Sequence, residues 1–170
     1  MRANEVLLDM YERVQGTVHA AVKDLDNAQL AQRPDASANS IAWLAWHTAR
    51  VMDAQIADAA EQKPVWDDGW RDKFDLPLDP NDTGYGHNSE QVAAVRASAK
   101  LLSGYYDAVW EQTRTYLQSL DDAALDTVID TNWNPPVTLG VRLVSIAADC
   151  LQHAGQANYV RGMVLRKGRA

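Results

Sequence analysis

Apolar residues recur every three or four positions along four long stretches of this chain, and proline-rich breaks separate them. In the first stretch Leu7, Met10 or Tyr11, Val14, Val18, Val22 and Leu25 keep that step, the period of a helix with one buried face. "RPDAS" interrupts it, because proline disfavours helix at the residue before it. Asn39 or Ser40 caps a second helix, "SIAWLAWHTARVMDAQIADAAEQ", which stops ahead of Pro64. A third opens at the capping signal "NSEQ", with Asn88 or Ser89 first, and carries Val92, Val95, Ala99, Leu102, Tyr106, Val109, Thr113, Tyr116 and Leu120 on one face. Thr138 caps the last, which runs to about Arg166.

Two connections remain. Residues 64–88 hold three prolines, three glycines and many aspartates and read as a long loop, held down by Trp66, Trp70, Phe74 and Tyr85. "DDAALDTVIDTNWNPPVT" is the second, where Pro135 and Pro136 forbid helix. No strand pattern stands out. Four amphipathic helices within 170 residues predict one all-α domain over 1–170, most simply a four-helix bundle.

Composition narrows the function. A formal charge of −7 disfavours nucleic acid, which wants a basic stripe. Only the end, "RGMVLRKGRA", gathers positive charge, where it complements a helix C-terminus. No apolar run reaches the roughly 20 residues of a membrane span, and the N-terminal stretch lacks a signal-peptide core. The expectation is a soluble, cytoplasmic protein. One cysteine, Cys150, excludes an internal disulfide and a cysteine-rich zinc cluster, and it reads as a small buried hydrophobe.

Chemistry concentrates in "LVSIAADCLQHAGQANYVRG", residues 143–162, where Ser145, Asp149, Gln152, His153 and Gln156 share one helical face. Asp149 and His153 are four apart, so their side chains are neighbours able to grip one ion. His47 shares a stripe with Leu44, Val51 and Gln55 and is expected to point inward, with Trp43 and Trp46 beside it as pocket walls. Imidazole and carboxylate together suit a divalent transition metal, and three protein ligands leave positions open. The bland reading stands beside this one. A D-x-x-x-H pair is common on solvated helix faces, and a lone histidine on an apolar stripe is often just a satisfied core residue. His19 reads as surface and His87, between Gly86 and Asn88, as part of a turn.

The stretches "NSIAWLAWHTARVMD", "TGYGHNSEQVAAVRA" and "PVTLGVRLVSIAADCLQHAGQANYVRGMV", in this order, resemble the DinB-like superfamily. The similarity is to its actinobacterial branch, which includes mycothiol-dependent maleylpyruvate isomerase, and the ending H-x-G-Q-x-x-Y-x-R-G carries much of it. The resemblance implies a four-helix bundle of DinB-like type with parallel middle helices, commonly a homodimer. It also implies a metal held by His47, Asp149 and His153, with zinc the first choice and nickel or iron alternatives. The first residue of the last pair is His in many members and Glu in the isomerase type, so Asp149 is a departure, one methylene shorter. Gln156 would sit one turn on, against a ligand or the substrate, and Ser145 on the pocket floor. Trp66, Trp70 and Tyr85 would cap the pocket. The activity implied is thiol S-transfer or thiol-assisted isomerisation of a small electrophile, with mycothiol as co-substrate. A non-catalytic bundle that binds a small ligand or stress signal, and a metal-dependent hydrolase, are the competing expectations.

Overall fold

A computed structural model describes residues 1–167. The last three residues of the basic C-terminal stretch fall outside the described residues. Four long helices form the bundle: α1 (Ala3–Val22), α3 (Ile41–Ala59), α6 (Ala99–Ser119) and α8 (Leu139–Lys167). Short elements link them: α2 (Asn27–Leu30), a 3-10 turn at Val65–Asp67, α4 (Trp70–Phe74), α5 (Ser89–Ala94) and α7 (Asp122–Leu125). The all-α expectation holds.

Side-chain bonds fix the helix directions. Tyr105 reaches Asp53 while Tyr116 reaches the Ala59 carbonyl, so α3 and α6 run parallel. These are the middle helices of the resemblance. Tyr11 bonds the Leu143 carbonyl and Asn158 the Thr17 carbonyl, so α1 and α8 are parallel too. Neighbours across the other seams are antiparallel: Asn4 meets Leu117 on α6, and Cys150 of α8 meets Thr48 of α3. The core lies where the four stripes meet. Leu7, Tyr11, Val14 and Val18 of α1 are buried there with Leu44, Met52 and Ile56 of α3, Leu102, Tyr106 and Val109 of α6, and Leu143, Ile146 and Cys150 of α8. Fully burying an aliphatic side chain contributes about 1.5–3 kcal/mol, so these rows dominate the stability. Tyr11, not Met10, takes the core position at that step.

Three expectations need correction. The third helix is two helices, because Val95 is extended and the Ser98 hydroxyl accepts from the Leu101 amide, starting α6 anew. The segment 64–88 carries helical turns. Within it Trp66 and Phe74 are buried, whereas Tyr85 is 93% exposed and pins nothing down. The second connection contains a two-stranded antiparallel ladder, β1 (Val128–Asp130) with β2 (Val137–Thr138). Strands of three and two residues are too short to show a period of two. No helix among the described residues is long and apolar enough to cross a membrane.

Candidate metal centre

The Ser40 hydroxyl accepts from the Trp43 amide and starts α3, setting Trp43, Trp46 and His47 in its first two turns. His47 is 6% exposed, and its ring stacks on Trp43 with centroids 4.5 Å apart. Its Nδ1 lies 2.5 Å from the Thr83 carbonyl oxygen. A carbonyl only accepts, so Nδ1 carries the hydrogen and Nε2 keeps a free lone pair. Burial lowers the His47 pKa, and the hydrogen bond to Thr83 and the Asp149 charge oppose that only partly. The ring is therefore neutral at physiological pH, the form a metal ligand needs.

His153, on α8, repeats the device. Its Nδ1 donates to Gln156 Oε1 at 3.1 Å, which leaves Nε2 turned the other way, 3.4 Å from Asp149 Oδ1. The His47 and His153 rings meet edge to face at 4.8 Å. One donor atom from each of His47, Asp149 and His153 lies within 4.8 Å of the other two, although about a hundred residues separate the first from the last. Donors bonded to one transition-metal ion at about 2.0–2.2 Å stand roughly 3–3.5 Å apart. The Asp149–His153 pair already meets that spacing, and the remaining closure is within reach of side-chain torsions. The donor set fits a divalent ion.

The chain behind these donors was less visible in sequence. Gly84 has φ +94°, and a Cβ there would stand 2.7 Å from His47 Nδ1 and 3.1 Å from both Trp43 and Trp46. Only glycine lets the 82–87 segment lie against α3 so closely. His87, read as a plain turn residue, is a buried joint. Its Nδ1 accepts from Trp43 Nε1 at 3.0 Å, its Nε2 donates to Asp82 Oδ2 at 2.8 Å, and its ring stacks on Trp46. Although burial alone would raise the Asp82 carboxyl, the hydrogen bonds from His87 and from the Gly84 and Thr83 amides hold it below the usual range. Arg50 Nε adds a bond to the Asp82 carbonyl. The signal was Gly84 in "TGYGH", which marks a close backbone approach.

A cleft of about 380 Å³ opens against His47 and Asp149, bounded also by Val51, Gln55, Thr83, Tyr85 and Ser145. Ser145 is exposed at its rim and so does not form a floor. Trp46 lines a different cavity, with Trp66 and Leu76. Trp66 does not cap the cleft: its indole N–H is tied to the Pro80 carbonyl and its ring packs against Phe74 and Tyr105. Trp70 packs on Tyr105 as well, so Tyr85 alone of the three borders the cleft. His19 is partly exposed and bonded to Asp107. Cys150 is fully buried, and burial together with the Asp149 charge pushes its thiol far above the ordinary value, so it is no nucleophile.

Comparison with known proteins bears on the family and the fold. A family profile, Mycothiol-S-transferase, matches residues 6–164. The chain belongs to the mycothiol-S-transferase family. That family lies within the DinB-like superfamily. Among solved structures, the crystal structure of a conserved protein of locus from Enterococcus faecalis superposes with a TM-score of 0.90 at 35% identity, covering 97% of this chain and 98% of that one. No curated protein matches. In this member of the mycothiol-S-transferase family Asp149 Oδ1 stands 3.4 Å from His153 Nε2, one helical turn on.

Proposed function

We propose that this chain transfers the sulfur of a low-molecular-weight thiol, mycothiol by the family's name, to a small electrophile, using a divalent cation held by His47, Asp149 and His153. The observation that carries the reading is the convergence of three acceptor atoms beside an open cleft. Both histidines have their protons held on the far nitrogen by Thr83 and Gln156. Such hydrogen bonds orient a ligating ring and raise its basicity. An ion held there would favour the thiolate form of a thiol that shares it.

The chain's own groups do the rest. Trp43 fixes the His47 plane by stacking, and Val51 gives the cleft an apolar wall. The exposed Tyr85 and Ser145 leave the electrophile a way in. The thiol proton leaves to solvent through the same opening. Sulfur then forms its bond to carbon as the leaving group departs with the old bond's electrons. Thiol-assisted isomerisation, as in the maleylpyruvate isomerase branch, begins with the same attack and ends with the thiol expelled again.

The test uses protein purified without chelators. Metal-loaded protein should conjugate mycothiol to monochlorobimane, releasing chloride, at a rate that falls to background after chelation or with His47→Ala. If no thiol raises the rate above free metal while a simple ester is cleaved, the reading is wrong and water is the nucleophile.

A further inference from the structure

The seam between α3 and α8 continues well past the three donors. Along α3, His47, Val51, Gln55 and Asp58 follow at steps of four, four and three. Along α8, running the other way, His153, Asp149, Ser145 and Arg142 follow at the same steps. Each set lies on one helical face, so both rows run along one seam. The cleft beside the donors occupies its upper part. At the lower end a second hollow of about 660 Å³ is lined by Asp58, Glu61, Asp130, Asn132 and Arg142. Eleven residues of helix separate His47 from Asp58, a distance of about 16 Å.

We propose that this second hollow binds the hydroxyl-rich, uncharged head of the thiol co-substrate while its sulfur end lies at the three donors. The inference rests on the thiol-transfer reading and adds to it where the rest of the molecule goes. Mycothiol carries its cysteinyl thiol on linked glucosamine and inositol rings, so it presents many hydroxyls and no anionic group. The hollow offers a matching set. The carboxylates of Asp58 and Glu61 line the hollow and are exposed, able to accept from hydroxyl pairs. Arg142 spends one nitrogen on Asp130 Oδ2 at 2.9 Å, and a guanidinium has further N–H donors. Asn132 gives its amide N–H to Asp130 Oδ1 at 3.0 Å and keeps its carbonyl oxygen as an acceptor. Asp130 is a positioning residue, since its oxygens serve Arg142 and Asn132.

The charge of the hollow decides between thiols. Asp58, Glu61 and Asp130 stand against Arg142, which is already paired with Asp130. A head bearing carboxylates or phosphates, as in glutathione or a nucleotide thiol, meets net repulsion there. A neutral polyol does not.

The test separates the hollow from the chemistry. Metal-free protein is titrated with the thiol-free head, N-acetylglucosaminyl-inositol, and followed by protein NMR. The wild type should bind it, and Asp58→Ala combined with Asn132→Ala should weaken binding at least tenfold; metal uptake by the double variant reports its fold. In the transfer assay the same variant should raise KM for mycothiol about tenfold relative to KM for N-acetylcysteine, which lacks the head. Equal head affinity in variant and wild type, or no binding to the wild type, overturns the proposal. Head binding as expected with no thiol ever transferred upholds the hollow and sinks the transfer reading. Transfer with an unchanged KM ratio sinks the hollow alone.

Discussion

Helix α3 carries two buried polar clusters barely two turns apart, and they are built on opposite plans. Around Asp53 everything is paired. Its Oδ1 accepts from the Val65 amide, and its Oδ2 accepts from the Trp66 amide and Tyr105 Oη, all at 2.7–2.8 Å. Arg50 stands 3.6 Å from Oδ2 and under the Trp66 ring. Burial raises the Asp53 carboxyl, and those donors and the arginine charge oppose it. Around His47 the outer nitrogens are satisfied, yet the inner nitrogens of His47 and His153 and the Asp149 carboxylate face one another as acceptors with no hydrogen to share. A closed network of donors and acceptors is complete as it stands and serves the fold. Converging lone pairs repel until a cation joins them. The difference sets a cluster that is complete as it stands apart from one that offers a cation a place, without reference to any relative.

The sharpest way to break that contrast is to cut each cluster once. Asp53→Ala should destabilise the protein by about 3–5 kcal/mol, because it leaves a buried arginine without its partner and two backbone amides without acceptors. His153→Ala should change the stability of metal-free protein by no more than about 1 kcal/mol. Denaturant unfolding followed by circular dichroism measures both. Equal losses would mean that the histidine cluster is as structural as the aspartate one.

Metal should act on only one of the two. A divalent ion at a hundred times its Kd stabilises the native state by about 2.7 kcal/mol, which for a domain of this size raises Tm by roughly 5–10 °C. Thermal melts with and without zinc should show that increment in the wild type, and none in His47→Ala or Asp149→Ala. A wild type with no increment would remove the site. Within the same comparison, Gly84→Ala should cost roughly 1–3 kcal/mol through overpacking against His47 and should also reduce the zinc increment. That variant shows whether the 82–87 segment holds the histidine or merely lies beside it.

These contrasts were unevenly legible in sequence. The helices could be read because each buries a row at a fixed step, and Ser40 caps α3 as its position indicated. The convergence of His47, Asp149 and His153 was legible because a four-residue spacing and an apolar stripe each fix a direction on a helix. His87 escaped because its partner Trp43 lies 44 residues away and nothing local marks the pairing. The break before α6 escaped for another reason: Val92, Val95 and Leu102 stay buried on both sides of it. A burial period cannot reveal a turn that preserves the buried face. The 82–87 segment and the hollow at β1 depend on tertiary approach between irregular segments, where no period exists to read.

The smallest effect tests the lower end of the α3–α8 seam against its upper end. Glu61 follows α3 at φ 51°, and the next amide, of Gln62, returns to the Ala57 carbonyl at 2.8 Å. That is the left-handed position after a helix, where glycine is the usual residue. A side chain there is strained by roughly 1–2 kcal/mol, and glycine recovers part of this while losing more freedom on folding. Glu61→Gly should therefore stabilise the protein by about 0.5 kcal/mol, measurable as a shift in denaturant midpoint. The zinc increment, set by donors more than three helical turns away, should not move. If the lower hollow holds a polyol head, the same variant loses one of its exposed carboxylates and must bind N-acetylglucosaminyl-inositol more weakly. Stability and affinity would then change in opposite directions, an outcome that a purely structural role for Glu61 does not produce.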